Sequence, residues 1–262
     1  MRIIAVINQK GGVGKTTTTL NLAHALSLMD KHVIALDMDP QGHLTSGFGI
    51  QQNGLHGMDE VLLENKSLSS LGFKVRPNLS LVPAGERLGE LEFVNRGGLD
   101  KGYRLRDAIA NETATDIVLV DCPPSSGLLT MNCLLAATEL LIPVSSDFLA
   151  LHGLSRLIRI VNDVETRLQK KSKKWIAVTR FQRKRLLSRQ VRDKLITVFP
   201  GRVLATPINE AVVLAESPGH GQTIFDYKNT CQSAVDYKQL AEDLLVGRTC
   251  KEADSERLAD VG

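Results

Sequence analysis

The sequence predicts an α/β fold, a doubly wound and mostly parallel sheet with helices on both faces. Three observations carry this. Short aliphatic runs alternate with amphipathic helical stretches from end to end, the pattern of repeated strand–helix crossovers. Several of those runs are apolar on both faces, as strands covered by helices on each side must be. No repeat, low-complexity linker or compositional break divides the chain, so residues 1–246 read as one domain, followed by a polar tail at 247–262.

The runs that read as strands are Arg2–Asn8, His32–Asp37, Leu79–Val82, Ile117–Asp121, Leu140–Val144, Trp175–Thr179 and Arg202–Thr206. Each is short, aliphatic or β-branched, and closed by a polar or turn-forming residue. Helical periodicity follows most of them, at Lys15–Met29, Leu105–Asn111, Leu128–Ala136, Leu151–Arg167, Ser188–Phe199 and Thr230–Leu245. The longest apolar stretch, 127–144, carries Asn132 and Glu139 and therefore reads as helix then strand, not as a membrane span.

Composition narrows the function classes. Of the 262 residues 43% are hydrophobic but only 4% aromatic, so the core is aliphatic and of normal size. The chain runs from Met1 straight into a strand, which leaves no room for a signal peptide and points to the cytoplasm. Cys122, Cys133, Cys231 and Cys250 lie far apart without a C-x-x-C pair, which suits reduced thiols and not zinc or a disulfide framework. Charge is unevenly spread: twelve basic residues against Asp193 between Lys170 and Arg202 give +11 there, and a total of +3 leaves −8 for the rest.

The chemistry begins at the first strand. Ile3–Asn8 enters the glycine-rich segment Gln9-Lys10-Gly11-Gly12-Val13-Gly14-Lys15-Thr16-Thr17, and a helix leaves it. Glycines let successive backbone N–H groups turn inward around a phosphate, and the helix N-terminus adds its positive dipole end. Lys15 can neutralise β- and γ-phosphate oxygens, and the Thr16 hydroxyl is placed to ligate Mg²⁺. Lys10, Gly11, Gly12, Val13, Gly14, Lys15, Thr16 and Thr17 are thus the candidate phosphate-binding residues of an ATPase using ATP and Mg²⁺. The usual G-x-x-x-x-G-K-[ST] pattern would need glycine where Gln9 stands; a second lysine, Lys10, follows instead.

A phosphate loop needs carboxylates. The second strand ends Asp37-Met38-Asp39-Pro40-Gln41-Gly42, and the alternation puts Asp37 and Asp39 on one face at a carboxyl end, where such sheets bind ligands. Ile117–Asp121 is four apolar residues closed by an acid, the form of a strand whose Asp121 meets Mg²⁺ through a water. A base would fit at the ends of later strands, near Thr179–Arg180 and Pro207–Asn209, with Pro207 the candidate contact.

These motifs together resemble the ParA/MinD superfamily, in its ParA/Soj partition branch. K-G-G-x-G-K-T is similar to the deviant Walker A loop of that superfamily, Asp37–Gly42 to its switch I, and Asp121–Pro124 to its D-x-P-P segment. Leu141–Val144 with Phe148–Leu154, and Glu216–Gly221, resemble later segments of the ParA branch, so the likeness covers about residues 1–245. It implies that Lys10 reaches phosphates held by the other subunit of an ATP-sandwich homodimer. It further implies that Asp39 positions the attacking water and that Asp37 supports the magnesium shell, making Lys10, Lys15 and Asp39 the catalytic set.

In this superfamily the nucleotide state controls binding to a surface. Arg185, Arg189 and Arg192 recur at i, i+4 and i+7 on one flank of a helix, with Leu187, Val191, Leu195 and Val198 on the other. With Arg183 and Lys184 they form a candidate phosphate-contacting stripe for non-specific DNA, bound in a salt-dependent way. The tail Lys251–Arg257 is mixed in charge and poor in apolar anchors, which disfavours a MinD-like membrane helix. The resemblance therefore implies a partition switch that binds the nucleoid in its ATP state, its hydrolysis stimulated by a ParB-like adaptor. The alternative is a ParA-like ATPase positioning a protein cargo such as a chemotaxis array or microcompartment. One departure stands out: the branch often carries arginines where Ile208–Leu214 has none.

Overall fold

The computed structural model describes residues 1–93, 99–147 and 150–250. One seven-stranded sheet organises them, in the order β3-β4-β2-β5-β1-β6-β7. The strands are β1 (Arg2–Val6), β2 (Val33–Asp37), β3 (Phe73–Arg76), β4 (Leu79–Val82), β5 (Ile117–Asp121), β6 (Glu139–Ser145) and β7 (Lys173–Thr179). Every pairing is parallel except β3 with β4.

The two sides of the sheet bury alternate residues of the same strands, as a two-residue period requires. Ile3, Ala5, Val118, Val120, Ile142 and Val178 face one core, where helices Arg104–Ile109, Leu128–Ala136, Ala150–Arg167 and Leu186–Val198 pack. Ile4, Val6, Ile117, Leu119, Leu141 and Ala177 face the other, covered by Lys15–Ser27 and Gln232–Val246. Lys15–Ser27 is buried almost all round, because it lies between the sheet and the helix Gln232–Val246. Among the described residues no helix is long and apolar enough to cross a membrane.

Two expectations fail in instructive ways. Strand β3 was not foreseen: Phe73-Lys74-Val75-Arg76 alternates over only four residues, too few to stand out, and forms a short edge strand with exposed Phe73 and Lys74, where charge guards an open edge. Arg202–Thr206 does not form a strand; it meets β7 only through the bridge Ile176↔Val203. The backbone explains why. Leu204 N bonds to Ile176 O and Ile208 N to Val178 O, so four residues advance where β7 advances two, and the excess loops out around Pro207, which has no N–H to give.

Nor does the chain leave the body at residue 247. Thr249 bridges Leu204 and Cys250 N bonds to Val203 O at 3.0 Å, while Arg248 pairs with buried Asp243 at 2.6 Å. The rest of the tail, with Phe148 and Leu149 of the family-like segment, lies outside the described residues.

Candidate functional site

The site lies at the carboxyl ends of β1, β2 and β5, where the chain reverses its direction of travel across the sheet. Register places Val6 and Asp37 on either side of Asp121. Between β1 and the helix Lys15–Ser27 the loop turns through Gly12 (φ 72°) and Gly14 (φ 87°), conformations that favour glycine. A Cβ on Gly11 or Gly12 would meet nothing within 4 Å, so this side of the loop faces open space. The helix begins without a side-chain cap and without an acid in its first turn. Its first N–H groups are therefore directed at that space, as an anion requires.

The loop is pinned at both ends. Asn8 donates its side-chain amide to Pro143 O at 2.8 Å and accepts from Lys10 N at 3.0 Å. Thr179, at the end of β7, donates to Val13 O at 2.8 Å. Lys15 is buried to 8% exposure beneath the loop, whereas the Lys10 side chain is 40% exposed.

Three predicted magnesium residues come together. Thr16 Oγ1 donates to Asp121 Oδ2 at 2.8 Å, and Thr19 Oγ1 donates to Asp121 Oδ1 at 3.0 Å. Asp37 accepts from the Thr45 hydroxyl at 2.7 Å and the Thr45 N–H at 2.8 Å. Both acids are fully buried side by side. Burial pushes the Asp121 carboxyl up to about 7, with the Asp37 charge adding to it. Burial pushes Asp37 up to about 6, although hydrogen bonds from Thr45 pull the other way. Two crowded, desolvated carboxylates beside a hydroxyl form an all-oxygen set that a hard divalent cation would relieve, so the residues fit Mg²⁺. Among the described residues no group of three or more His, Cys, Asp or Glu could hold a metal alone. A cation here would need phosphate oxygens and water as well.

Asp39 is 8% exposed, with Oδ1 accepting from Gln41 N at 3.0 Å and its own N–H donating to Asp37 Oδ1 at 3.2 Å. The two acids are thus tied to each other at the end of β2 through the Asp39 N–H. Thr45 and Thr19 were not foreseen; Thr19 was legible in hindsight, one helical turn past Lys15, but Thr45 reaches Asp37 only through the fold.

Beyond β7 a cleft is lined by Phe181, Gln182, Arg183, Asn209, Glu210 and Gln232. Pro207 does not line it, since it sits in the looped-out excess. Asn209 Nδ2 is committed to Asp236 Oδ2 at 2.8 Å.

The whole chain has close relatives in sequence. It is 37% identical over 256 residues to the chromosome partitioning protein ParA of Myxococcus xanthus, covering 95% of this chain and 90% of that one. The chain belongs to the ParA/Soj family of partition ATPases. It is likewise 34% identical to the sporulation initiation inhibitor protein Soj of Bacillus subtilis, over 93% of this chain and 98% of the relative. A family model described as AAA domain matches residues 1–174. In structure it is similar to cobyrinic acid a,c-diamide synthase of Mycobacterium smegmatis solved with ADP and magnesium: TM-score 0.79, 31% identity, 94% of each chain covered.

Two details of this ParA/Soj chain revise the sequence reading. The basic run is not one surface. Lys174 is buried against Glu165 at 2.6 Å, Lys170 is held by the carbonyls of Leu134 and Leu135, and Lys173 lies 4.2 Å over the Trp175 ring. Arg192 is turned inward, 3.4 Å from Ala205 O and 6.0 Å from the Phe181 ring centroid. The expected stripe thus loses Arg192, while Val198, expected on the packed side, is 49% exposed. Arg183, Lys184, Arg185 and Arg189 remain exposed.

The family-like segment Glu216–Gly221 packs against the turn that follows the helix His43–Gly47. Gly221 (φ 65°) backs onto Gly49 (φ 83°), just past the helix His43–Gly47 that carries Thr45. A Cβ at Gly221 would lie 2.5 Å from the Gly49 Cα, so backbone would have to part. Gly221→Ala is expected to cost about 2–4 kcal/mol, combining overpacking with a left-handed backbone. Urea unfolding checks this; an unchanged midpoint would mean that the two loops separate freely.

Proposed function

We propose that this partition ATPase is a dimerising switch: ATP closes two copies face to face, and the closed pair holds DNA without regard to sequence. The observation that carries the reading is Lys10, a second loop lysine displayed at the surface beside an uncapped, glycine-lined phosphate site. A lysine so placed can reach a phosphate outside its own subunit, as its resemblance to the deviant Walker A loop implies.

In this reading residues 1–246 form the ATPase domain. Lys10 to Thr17 bind ATP, Lys15 and Lys10 counter phosphate charge, and Thr16, Asp37 and Asp121 hold the Mg²⁺ side. Bound Mg²⁺ would neutralise phosphate charge. Asp39 accepts a proton from, and orients, the attacking water. Hydrolysis reopens the dimer, and a ParB-like partner accelerates it. The protein works in the cytoplasm, on the nucleoid while ATP is bound. The base would lie past the end of β7, near Pro207 and beside Phe181, Gln182 and Asn209 of the neighbouring cleft.

DNA is favoured as the surface because Arg183, Lys184, Arg185 and Arg189 are exposed together at the entry to the helix Leu186–Val198. The test is retention on arbitrary duplex across a salt series, with ATP and with ADP. Retention should require ATP and fall steeply with salt, the log–log slope losing about 0.9 for each phosphate contact removed. Charge reversal at Arg183, Arg185 and Arg189 should abolish retention while leaving ATP hydrolysis intact. Unaltered retention would exclude this stripe, and retention with no ATP dependence would exclude the switch.

A further inference from the structure

Lys10 is not idle in the single subunit. Its Nζ lies 2.7 Å from Asp147 Oδ2, just past the end of β6, and the Ser145 hydroxyl donates to the same oxygen at 2.7 Å. We infer that Asp147 is a positioning residue that parks the Lys10 ammonium within its own subunit, so that dimer closure must transfer this lysine from a carboxylate to a phosphate. This rests on the reading of Lys10 as the residue that reaches the second subunit.

The parking place is built from the elements that hold the loop. Asn8 ties the Lys10 N–H to β6 through Pro143 O. Ser145 pairs in register with Thr179, whose hydroxyl holds Val13 O at the far end of the loop. Lysine, carboxylate and phosphate loop therefore hang on the same two strand ends. The Ser145 hydroxyl keeps its hydrogen bond to Asp147 Oδ2 after the lysine departs. The two side chains are 40% and 42% exposed, a setting in which an ion pair is worth little and exchanges readily. A triphosphate, carrying several charges in a closed interface, outcompetes it; a nucleotide without the γ-phosphate does so less well. The pair thus acts as a threshold against closure without ATP.

The test compares the full-length protein with Asp147→Asn, which keeps the shape and removes the charge. Sedimentation in saturating ATP should show a dimer constant tightened roughly 3- to 25-fold, since two exposed pairs no longer have to break per dimer. The basal fraction of dimer in ADP should rise too. An unchanged or weakened dimer constant would overturn the inference, a weakened one showing that Asp147 serves the closed pair instead. Affinity of dilute monomer for a fluorescent ATP analogue is the second readout. It should stay within about twofold; a gain matching that of the dimer would show that the carboxylate merely repels phosphate, and would also overturn the inference. Lys10→Ala separates the two levels: if it dimerises like the wild type, the reading of Lys10 across the interface fails, whatever Asp147→Asn does. Melting temperature identifies either variant that has lost its fold.

Discussion

Lys15→Ala is expected to weaken ATP binding about 30- to 5000-fold, the span set by 2–5 kcal/mol for truncating one partner of a buried, hydrogen-bonded charge pair. The side chain starts the helix after the loop at 8% exposure, so its ammonium meets phosphate with little competing water. The loop does not depend on it for shape. Thr179 holds Val13 O, Thr18 N bonds to Gly14 O, and Asn8 ties the loop to β6. Thermal stability without nucleotide should therefore change little, while stabilisation by added ATP disappears by mass action. Equilibrium dialysis with labelled ATP measures the affinity directly. Arginine at this position should not restore it, because a broad planar fork does not fit where a compact ammonium sits. Normal binding and hydrolysis in Lys15→Ala would mean that the phosphates lie elsewhere.

Much of this site was legible because it is local. Strand, glycine turn and helix run without interruption from Ile3 to Thr17, and each step has its own sequence signal: a two-sided apolar run, glycines where φ turns positive, and a helix with no acid in its first turn. Asp37, Asp39 and Asp121 were legible for a related reason: apolar strands ending in acids mark carboxyl ends, and parallel strands bring those ends together.

What escaped was carried by contacts distant in sequence. Asp147 meets Lys10 across 137 positions, and nothing in Ser145-Ser146-Asp147 announces an ion pair. Strand β3 escaped because it is only four residues long at the sheet edge, so its single apolar–polar alternation is too short to reveal a strand. The basic run misled in the opposite direction. Lys170, Lys173, Lys174 and Arg192 look like surface charge in sequence, yet their heads find carbonyls, a ring or a carboxylate. Charge counting cannot separate a solvated cation from one already used by the fold.

Asp39→Ala is expected to lower kcat about 10²- to 10⁴-fold, the usual contribution of a positioned acid–base group, with ATP affinity changed less than about threefold. The division follows from how β2 ends. Asp37 is wholly buried, fixed by Thr45, and beside Asp121. Asp39, two residues on, is held by Gln41 N through one oxygen and stands where the chain turns away at Gly42 (φ 59°). Removing Asp37 would strip partners from buried Thr45 as well as disturb the cation side, so fold and nucleotide binding should suffer together. Removing Asp39 leaves that network whole and deletes only the group at its edge. If ATP closes the dimer and hydrolysis opens it, Asp39→Ala must accumulate closed dimer on ATP, and Lys10→Ala must stay monomeric under the same conditions. Single-turnover hydrolysis gives the chemical step, and sedimentation gives the assembly. Near-normal turnover in Asp39→Ala would remove it from the reaction; slow turnover without dimer accumulation would break the link between hydrolysis and opening.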